Sequence, residues 1–265
     1  MKYSKLKIQT STSKYSIYIG SNFSNKINTI LNNERILFNK ALIIYDSKIK
    51  IKEVSKIISK LKKKEVYIYK FVSSEKSKSF NTVNKIISKL LKNNFTRQDC
   101  IISLGGGITG DISGFVSSIY KRGIKFINIP TTLLAQVDAS IGGKTGVNHK
   151  IYGKNLIGSF YQPNIVIADT DYLKSLSKKE LICGYAEIFK HSLIYSKQNF
   201  LFLEKFYKKI LSLEKKVLEK AILESCKIKK SIVQKDEKEN NLRMILNLGH
   251  TFGHAYEAAC GYKNI

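Results

Sequence analysis

A chain of 265 residues that is 43% hydrophobic and 11% aromatic can bury a sizeable core, which excludes a disordered protein and leaves room for one large domain or two ordinary ones. Its formal charge of +26 rests on 46 basic residues, yet only Arg35, Arg97, Arg122 and Arg243 are arginine, so specific nucleic-acid binding, which leans on arginine at base edges, is not expected; attraction of an anionic small substrate is. No apolar run approaches the roughly 18 residues that cross a bilayer, and no apolar core follows the charged start MKYSKLKIQTST, so no membrane partner is expected and the expected compartment is the cytoplasm.

KLKIQT and KYSIYIG alternate as a β-hairpin over the first nineteen residues, and a short helix is predicted from about Ser24 to Phe38. Strands and helices then take turns: ALIIYD (41–46), VSKIISKLKK, VYIYKF (66–71), TVNKIISKLLKN and CIISL (100–104). Such alternation predicts a parallel sheet with helices on both faces, a Rossmann-like α/β unit. Residues 127–163 have few periodic apolar positions and much Thr, Gly, Lys, Asn and Asp, which predicts a polar site built on loops. From about Ser177 the apolar residues recur at spacings of three and four, and a second, helical unit begins. Cys100, Cys183, Cys226 and Cys260 form no Cys-x-x-Cys, so reduced packing residues are expected.

Three stretches carry chemistry. Gly105-Gly106-Gly107-Ile108-Thr109-Gly110 follows strand CIISL and precedes a helix, the setting in which G-x-G-x-x-G lets a backbone approach a pyrophosphate at a helix N-terminus. The acid expected about twenty residues later is missing, and Asp46 at the end of ALIIYD is the alternative for ribose hydroxyls. Lys144, Lys154 and Asn155 supply cationic and amide donors for phosphate or carboxylate. In GYAEIFKH, Glu187 and Lys190 share a helix face; the apolar flanks suggest a partly buried acid that wants a cation or a metal. His250 and His254 in LNLGHTFGHAYEA are one helical turn apart, a spacing a zinc site can use, although Thr251 stands where His-Glu-x-x-His has its glutamate, so a packing role stays open.

Taken in order, GGGITGDISGF, IPTTLLAQVDASIGGKTGVN, GKNLIGSFYQP, GYAEIFKH and KDEKENNLRMILNLGHTFGHAYE resemble 3-dehydroquinate synthase, a sugar-phosphate cyclase family, over essentially the whole chain. The resemblance implies a Rossmann-like NAD-binding α/β domain over residues 1–174 and an all-α metal- and substrate-binding domain, incomplete here, over 175–265. It implies NAD and Zn2+ (or Co2+) as cofactors, a homodimer, and the conversion of 3-deoxy-D-arabino-heptulosonate 7-phosphate to 3-dehydroquinate and phosphate. In that reaction a hydride leaves C5 for NAD, phosphate departs by β-elimination, the hydride returns, and the opened ring closes by an intramolecular aldol step.

Carried over position by position, the metal ligands are Glu187 and His250, and the family's third ligand, a later histidine, has no counterpart in these 265 residues. Lys144, Asn155 and His254 match the phosphate and elimination neighbourhood; Arg122 matches an arginine reaching a neighbouring subunit's phosphate site. Lys229, Arg243 and Asn247 match groups on the substrate carboxylate and hydroxyls, and Lys190 stands beside Glu187. On the cofactor side the matches are Asp46, Glu75, Lys78, Gly106, Gly107, Asp111, Thr131, Thr132, Asp138, Lys144, Lys154, Tyr172 and Ser175. Ser74 replaces a usual glycine before Glu75, and Ser175 a common threonine. Two rivals stay open: a catalytically silent remnant that keeps NAD binding or a subunit-interaction role, and an NAD-linked, metal-dependent polyol dehydrogenase, against which KTGVN and GKNLIG argue.

Overall fold

The computed structural model describes residues 3–61 and 64–259, the side chains of His250, His254, Glu257 and Ala258 excepted. Strands β1 (Ser4–Gln9) and β2 (Lys14–Gly20) form the predicted hairpin. Helix α1 (Ile27–Asn33) is shorter than its predicted span, because Arg35 takes a positive φ and the chain turns away. Then come β3 (Lys40–Asp46), α2 (Ile51–Lys60), β4 (Glu65–Phe71), α3 (Phe80–Lys92), β5 (Cys100–Gly105), α4 (Gly107–Ile119) and β6 (Lys125–Pro130).

These strands join β9 (Ile165–Asp169) in a seven-stranded sheet of order β1-β2-β9-β6-β5-β3-β4, parallel except for the antiparallel β1 edge. Alternation along β3 feeds two cores, as the period of a strand requires. Ile43 packs with α1 and α2 through Ile30 and Ile57, while Leu42 and Ile44 face Ile86 of α3 and Val116 of α4. The chain leaves β3 for β4 on one side and returns to β5 on the other. The carboxyl ends of β3 and β5 therefore flank a topological switch point, where open α/β sheets hold ligands.

The predicted polar loop region is largely ordered secondary structure. β7 (Lys144–His149) and β8 (Gly153–Phe160) form a separate antiparallel ribbon, and Ala135–Ala139 forms a π-helical turn. The ribbon was hidden because its strands lack apolar alternation; Gly146 and Gly158 face each other, and a Cβ on Gly158 would stand 2.1 Å from the Thr145 carbonyl oxygen. Close backbone approach replaces side-chain packing there. β9 follows directly, all five residues buried.

After β9 the described chain is helical. Helix α5 (Lys178–Tyr195) starts at a capping box in which Ser177 and Glu180 satisfy each other's backbone N–H groups. α6 (Lys197–Leu211) and α7 (Lys215–Lys235) follow, then a 3-10 segment, Leu242–Asn247, and α8 (His250–Ala259). Leu181, Ile188, Leu203 and Ile222 from these helices pack on Leu6, Ile17 and Ile19 of the hairpin and on Val137 of the π turn. The π turn is thus wedged between the sheet and the helical part. Cys100 and Cys226 are buried free thiols and Cys183 is an exposed one; Cys260 lies outside the described residues.

Candidate active site

A cavity of about 540 Å³ opens where the sheet's carboxyl edge, the β7–β8 ribbon, α5, α7 and residues 239–247 meet. Among the residues lining it are Asp111, Asp138, Lys144, Asn155, Lys190, Lys229, Arg243 and Asn247, which the sequence places up to 136 positions apart. The fold brings these eight expected residues to one space.

Its lysines are paired with carboxylates, two of the three across elements. Lys229 of α7 donates to the Asp138 carbonyl oxygen (2.6 Å) and also meets the Asp138 carboxylate. Burial alone would push that carboxyl up, but Lys229 outweighs it and holds Asp138 down to about 2. Lys190 lies 2.8 Å from Glu187 Oε1 and donates to the Leu246 carbonyl oxygen (2.7 Å), tying α5 to the 242–247 segment. Lys144 contacts Glu239, whose carboxylate also accepts from Asn247 (2.9 Å). Partial burial and the cations of Arg243 and Lys229 push the Lys144 ammonium down to about 8, with the Asp138 carboxylate working in the opposite sense.

Arg243, only 2% exposed, reaches the cavity from behind the ribbon, donating to the Gly142 and Glu237 carbonyl oxygens at 3.0 and 2.5 Å. It fits because Gly142, at φ +95°, has no side chain: a Cβ there would lie 2.4 Å from Nη2. The guanidinium stays charged despite the burial that lowers its pKa.

On the sheet side, Lys78 is buried and bridges Asp111 (2.5 Å) and Asn155, whose φ of +58° turns its amide inward. Burial raises the Asp111 carboxyl, with Lys78 opposing. Gly106 caps α4 without any side-chain hydrogen bond, leaving helix N–H groups free beside Gly107 at the switch point. A Cβ on Gly106 would meet Thr132 at 3.2 Å and one on Gly107 would meet Ala139 at 3.3 Å, so bare backbone lines this approach, with buried Thr131 beside it. Asp46 ends β3 and accepts from Lys48 N (3.0 Å), and exposed Glu75 accepts from Asn148 (2.7 Å). An uncapped helix end at a switch point, flanked by Asp46, fits a dinucleotide.

Other expected residues stand apart from the cavity lining. Lys154 is exposed on β8, and Arg122 is exposed after α4 at φ +64°. The Tyr172 ring packs in the core with its hydroxyl 3.0 Å from Ser24 Oγ, and Ser175 Oγ donates to the Tyr172 carbonyl oxygen (2.8 Å). The side chains of His250 and His254 lie outside the described residues, though both positions belong to α8.

For a metal, the telling group is Glu187. Its Oε1 is buried and makes no aligned hydrogen bond, although Lys190 and His191 both crowd it. Ligand atoms of Asp138, Glu187 and His191 all lie within 4.8 Å of one another, a hard and borderline donor set that fits a divalent cation. Glu239 and His191 were not among the expected site residues; His191 directly follows Lys190 in GYAEIFKH and Glu239 stands four residues before Arg243 in KDEKENNLR, the only signal the sequence offered.

The chain is similar to known proteins along its length. The family described as 3-dehydroquinate synthase N-terminal matches residues 68–183, and its C-terminal counterpart matches residues 184–265. The 3-dehydroquinate synthase of Pelagibacter ubique (strain HTCC1062) is 55% identical over 98% of this chain and 70% of its own length. The chain belongs to the 3-dehydroquinate synthase family. The family's enzyme from Buchnera aphidicola subsp. Baizongia pistaciae (strain Bp) is 48% identical over 94% of this chain and 70% of its own. Among solved structures, 2-deoxy-scyllo-inosose synthase complexed with carbaglucose-6-phosphate, NAD+ and Co2+ matches at 28% identity with a TM-score of 0.89, covering 97% of this chain and 69% of that one. Membership accounts for the α/β sheet followed by helices, and nothing in these likenesses favours a polyol dehydrogenase or a silent remnant.

Proposed function

We propose that the cavity performs the 3-dehydroquinate synthase reaction on 3-deoxy-D-arabino-heptulosonate 7-phosphate, with NAD at the β3–β5 switch point and a zinc or cobalt ion at Glu187. The observation that carries this reading is the convergence of Lys144, Lys190, Lys229 and Arg243 with Asp138 on one cavity beside Glu187. Its volume suits a sugar phosphate, since small-molecule pockets run from about 300 to 1,000 Å³. When bound, NAD accepts and returns a hydride while the metal polarises the hydroxyls at the reacting carbon.

The chain's own residues bind and orient. Arg243, fixed by two carbonyl oxygens, offers its planar fork to the substrate carboxylate, with Lys229 alongside and Asn247 for hydroxyls. Lys144 and Asn155 lie on the ribbon, where an anionic phosphate would compete with Glu239 for the Lys144 ammonium. His254 joins them in this reading, and His250 joins Glu187 on the metal. Lys144, Lys190 and Lys229 each already have a carboxylate partner while Arg243 rests on carbonyl oxygens, so the anionic substrate takes over partners rather than meeting bare ammonium groups. Asp46, Glu75, Lys78, Asp111, Thr131, Thr132, Asp138, Lys154, Tyr172 and Ser175 serve the cofactor, Tyr172 through its backbone since its ring is engaged in the core.

The division of labour runs between residues 1–174 and 175–265, the sheet ending at Asp169 and α5 starting at Lys178. A cytoplasmic homodimer completes the reading, with exposed Arg122 reaching a partner's phosphate site. No described helix is long and apolar enough to cross a membrane. The test is to supply the heptulosonate phosphate with NAD and zinc and to follow carbocycle formation and NADH together. Dehydroquinate with no net NADH supports the proposal; NADH accumulating without dehydroquinate would sink it.

A further inference from the structure

We propose that His191 is a positioning residue that aims the Glu187 carboxylate, and that Ser225 of α7 sets the imidazole for this task. The proposal deepens the reading above and rests on Glu187 being a metal ligand.

His191 follows Glu187 by one helical turn on α5, so the ring lies against the carboxylate. It is fully buried at 0% exposure. Its Nε2 lies 3.1 Å from Glu187 Oε1, and its Nδ1 lies 2.7 Å from Ser225 Oγ, itself buried. A single tautomer suits both neighbours: the Ser225 hydroxyl donates to Nδ1, and Nε2–H points at the carboxylate. The opposite tautomer would aim the Nε2 lone pair at an anion.

Glu187 needs such a guide because the last torsion of a glutamate is soft and broad. Neither Nε2 nor Oε1 makes an aligned hydrogen bond in this structure, yet they are in contact range and shielded from water. A small rotation of the carboxylate aligns them, and that is the motion a bound cation would select. Lys190 contacts the same oxygen from the neighbouring position but also donates to Leu246, so its ammonium is shared between elements. His191 is held by α7 and directed at Glu187. Partners of this kind, behind a ligating carboxylate, are worth about 10- to 100-fold in metal affinity.

A rival use of the same atoms makes His191 itself a ligand, together with Asp138 and Glu187. That arrangement requires a bare Nε2 and a proton on Nδ1, given to Ser225. The two uses differ in where the proton sits.

The experiment combines 15N NMR of histidine-labelled protein, without and with zinc, with Co2+ titration followed by visible absorption. The probe set is the intact chain and its Glu187→Gln, His191→Leu, His191→Gln and Ser225→Ala forms. We expect the ring proton on Nε2 with and without zinc. Cobalt affinity should fall about 10- to 100-fold in His191→Leu with unchanged band positions. His191→Gln, which keeps an N–H toward Glu187, should stay within about 3-fold of the parent, and Ser225→Ala should lie between the two. A proton on Nδ1 with zinc on Nε2 would overturn the proposal in favour of ligation. Unchanged affinity in His191→Leu, or His191→Gln as weak as His191→Leu, would overturn it in favour of packing. Cobalt uptake indifferent to Glu187→Gln would overturn the metal assignment and this proposal with it; uptake lost in Glu187→Gln yet untouched in His191→Leu would overturn this proposal alone. The NMR arm uses the unmutated protein and decides the tautomer even if a variant fails to fold.

Discussion

The two sides of the candidate site handle charge differently. On the sheet side, the approach to the α4 N-terminus is bare backbone, Gly106 and Gly107, with the dipole of an uncapped helix behind it. On the helical side, charge sits on long side chains that neutralise one another, Lys229 with Asp138 and Lys144 with Glu239 across elements and Lys190 with Glu187 along α5. A backbone wall is built for one constant ligand. A wall of exchangeable ion pairs suits a substrate whose charge and shape change during turnover.

Substitutions should break the helical wall harder than the sheet wall. The largest effect is expected for Arg243→Met: losing a buried, preset fork should lower kcat/KM for the heptulosonate phosphate by about 10²- to 10³-fold, measured by steady-state phosphate release. Next, Lys229→Met leaves the Asp138 carboxylate without its cation and should destabilise the fold by about 3 kcal/mol in urea unfolding. Adding Asp138→Asn should recover most of that stability and none of the activity, since the pair is then replaced by neutral groups that cannot serve the ligands.

Glu237 clasps the two halves together. Its carboxylate accepts from Ser11 and Thr12 at the β1–β2 turn and from Gln162, with bonds of 2.6, 2.6 and 2.8 Å. Burial pushes its pKa up, but these donors prevail and hold it near 2, below an ordinary value of 4.5. A depressed folded-state pKa gives stability that is complete above the ordinary value and is lost as pH falls from about 4.5 toward 2. Glu237→Gln should therefore remove about 2 kcal/mol at neutral pH and flatten the acid limb of the stability curve in this window. The smallest effect is expected on the backbone wall. Gly107→Ala asks Ala139 to give by a few tenths of an ångström, so NAD affinity by calorimetry should weaken about 3- to 10-fold, with zinc affinity unchanged.

Legibility follows the same divide. Local patterns marked ALIIYD and CIISL as strands because both are apolar runs buried by the sheet, and the glycines after CIISL were readable as a helix-opening phosphate turn. The helical wall was legible only in part, Glu187 and Lys190 through their shared helix face and Lys144 through its polar, glycine-rich stretch. Arg243 matters because Gly142, 101 positions earlier, leaves room for it, and Glu239 because the 242–247 segment folds back over the ribbon. Arg243 was reachable only through resemblance of whole motifs, and Glu239 and His191 escaped even that. The π turn bearing Asp138 gave no signal in its sequence, since its form is imposed by packing between α5, α7 and the sheet. The β7–β8 ribbon escaped because glycine pairing, not apolar alternation, holds it.

The most direct measurement is phosphate release from 3-deoxy-D-arabino-heptulosonate 7-phosphate by this chain and by Glu187→Gln, each with and without NAD and zinc. Release that requires both additions, and that falls by about 10³-fold in the variant while NAD binding persists, is the predicted result. Equal release by the variant, or release indifferent to zinc, would contradict the account.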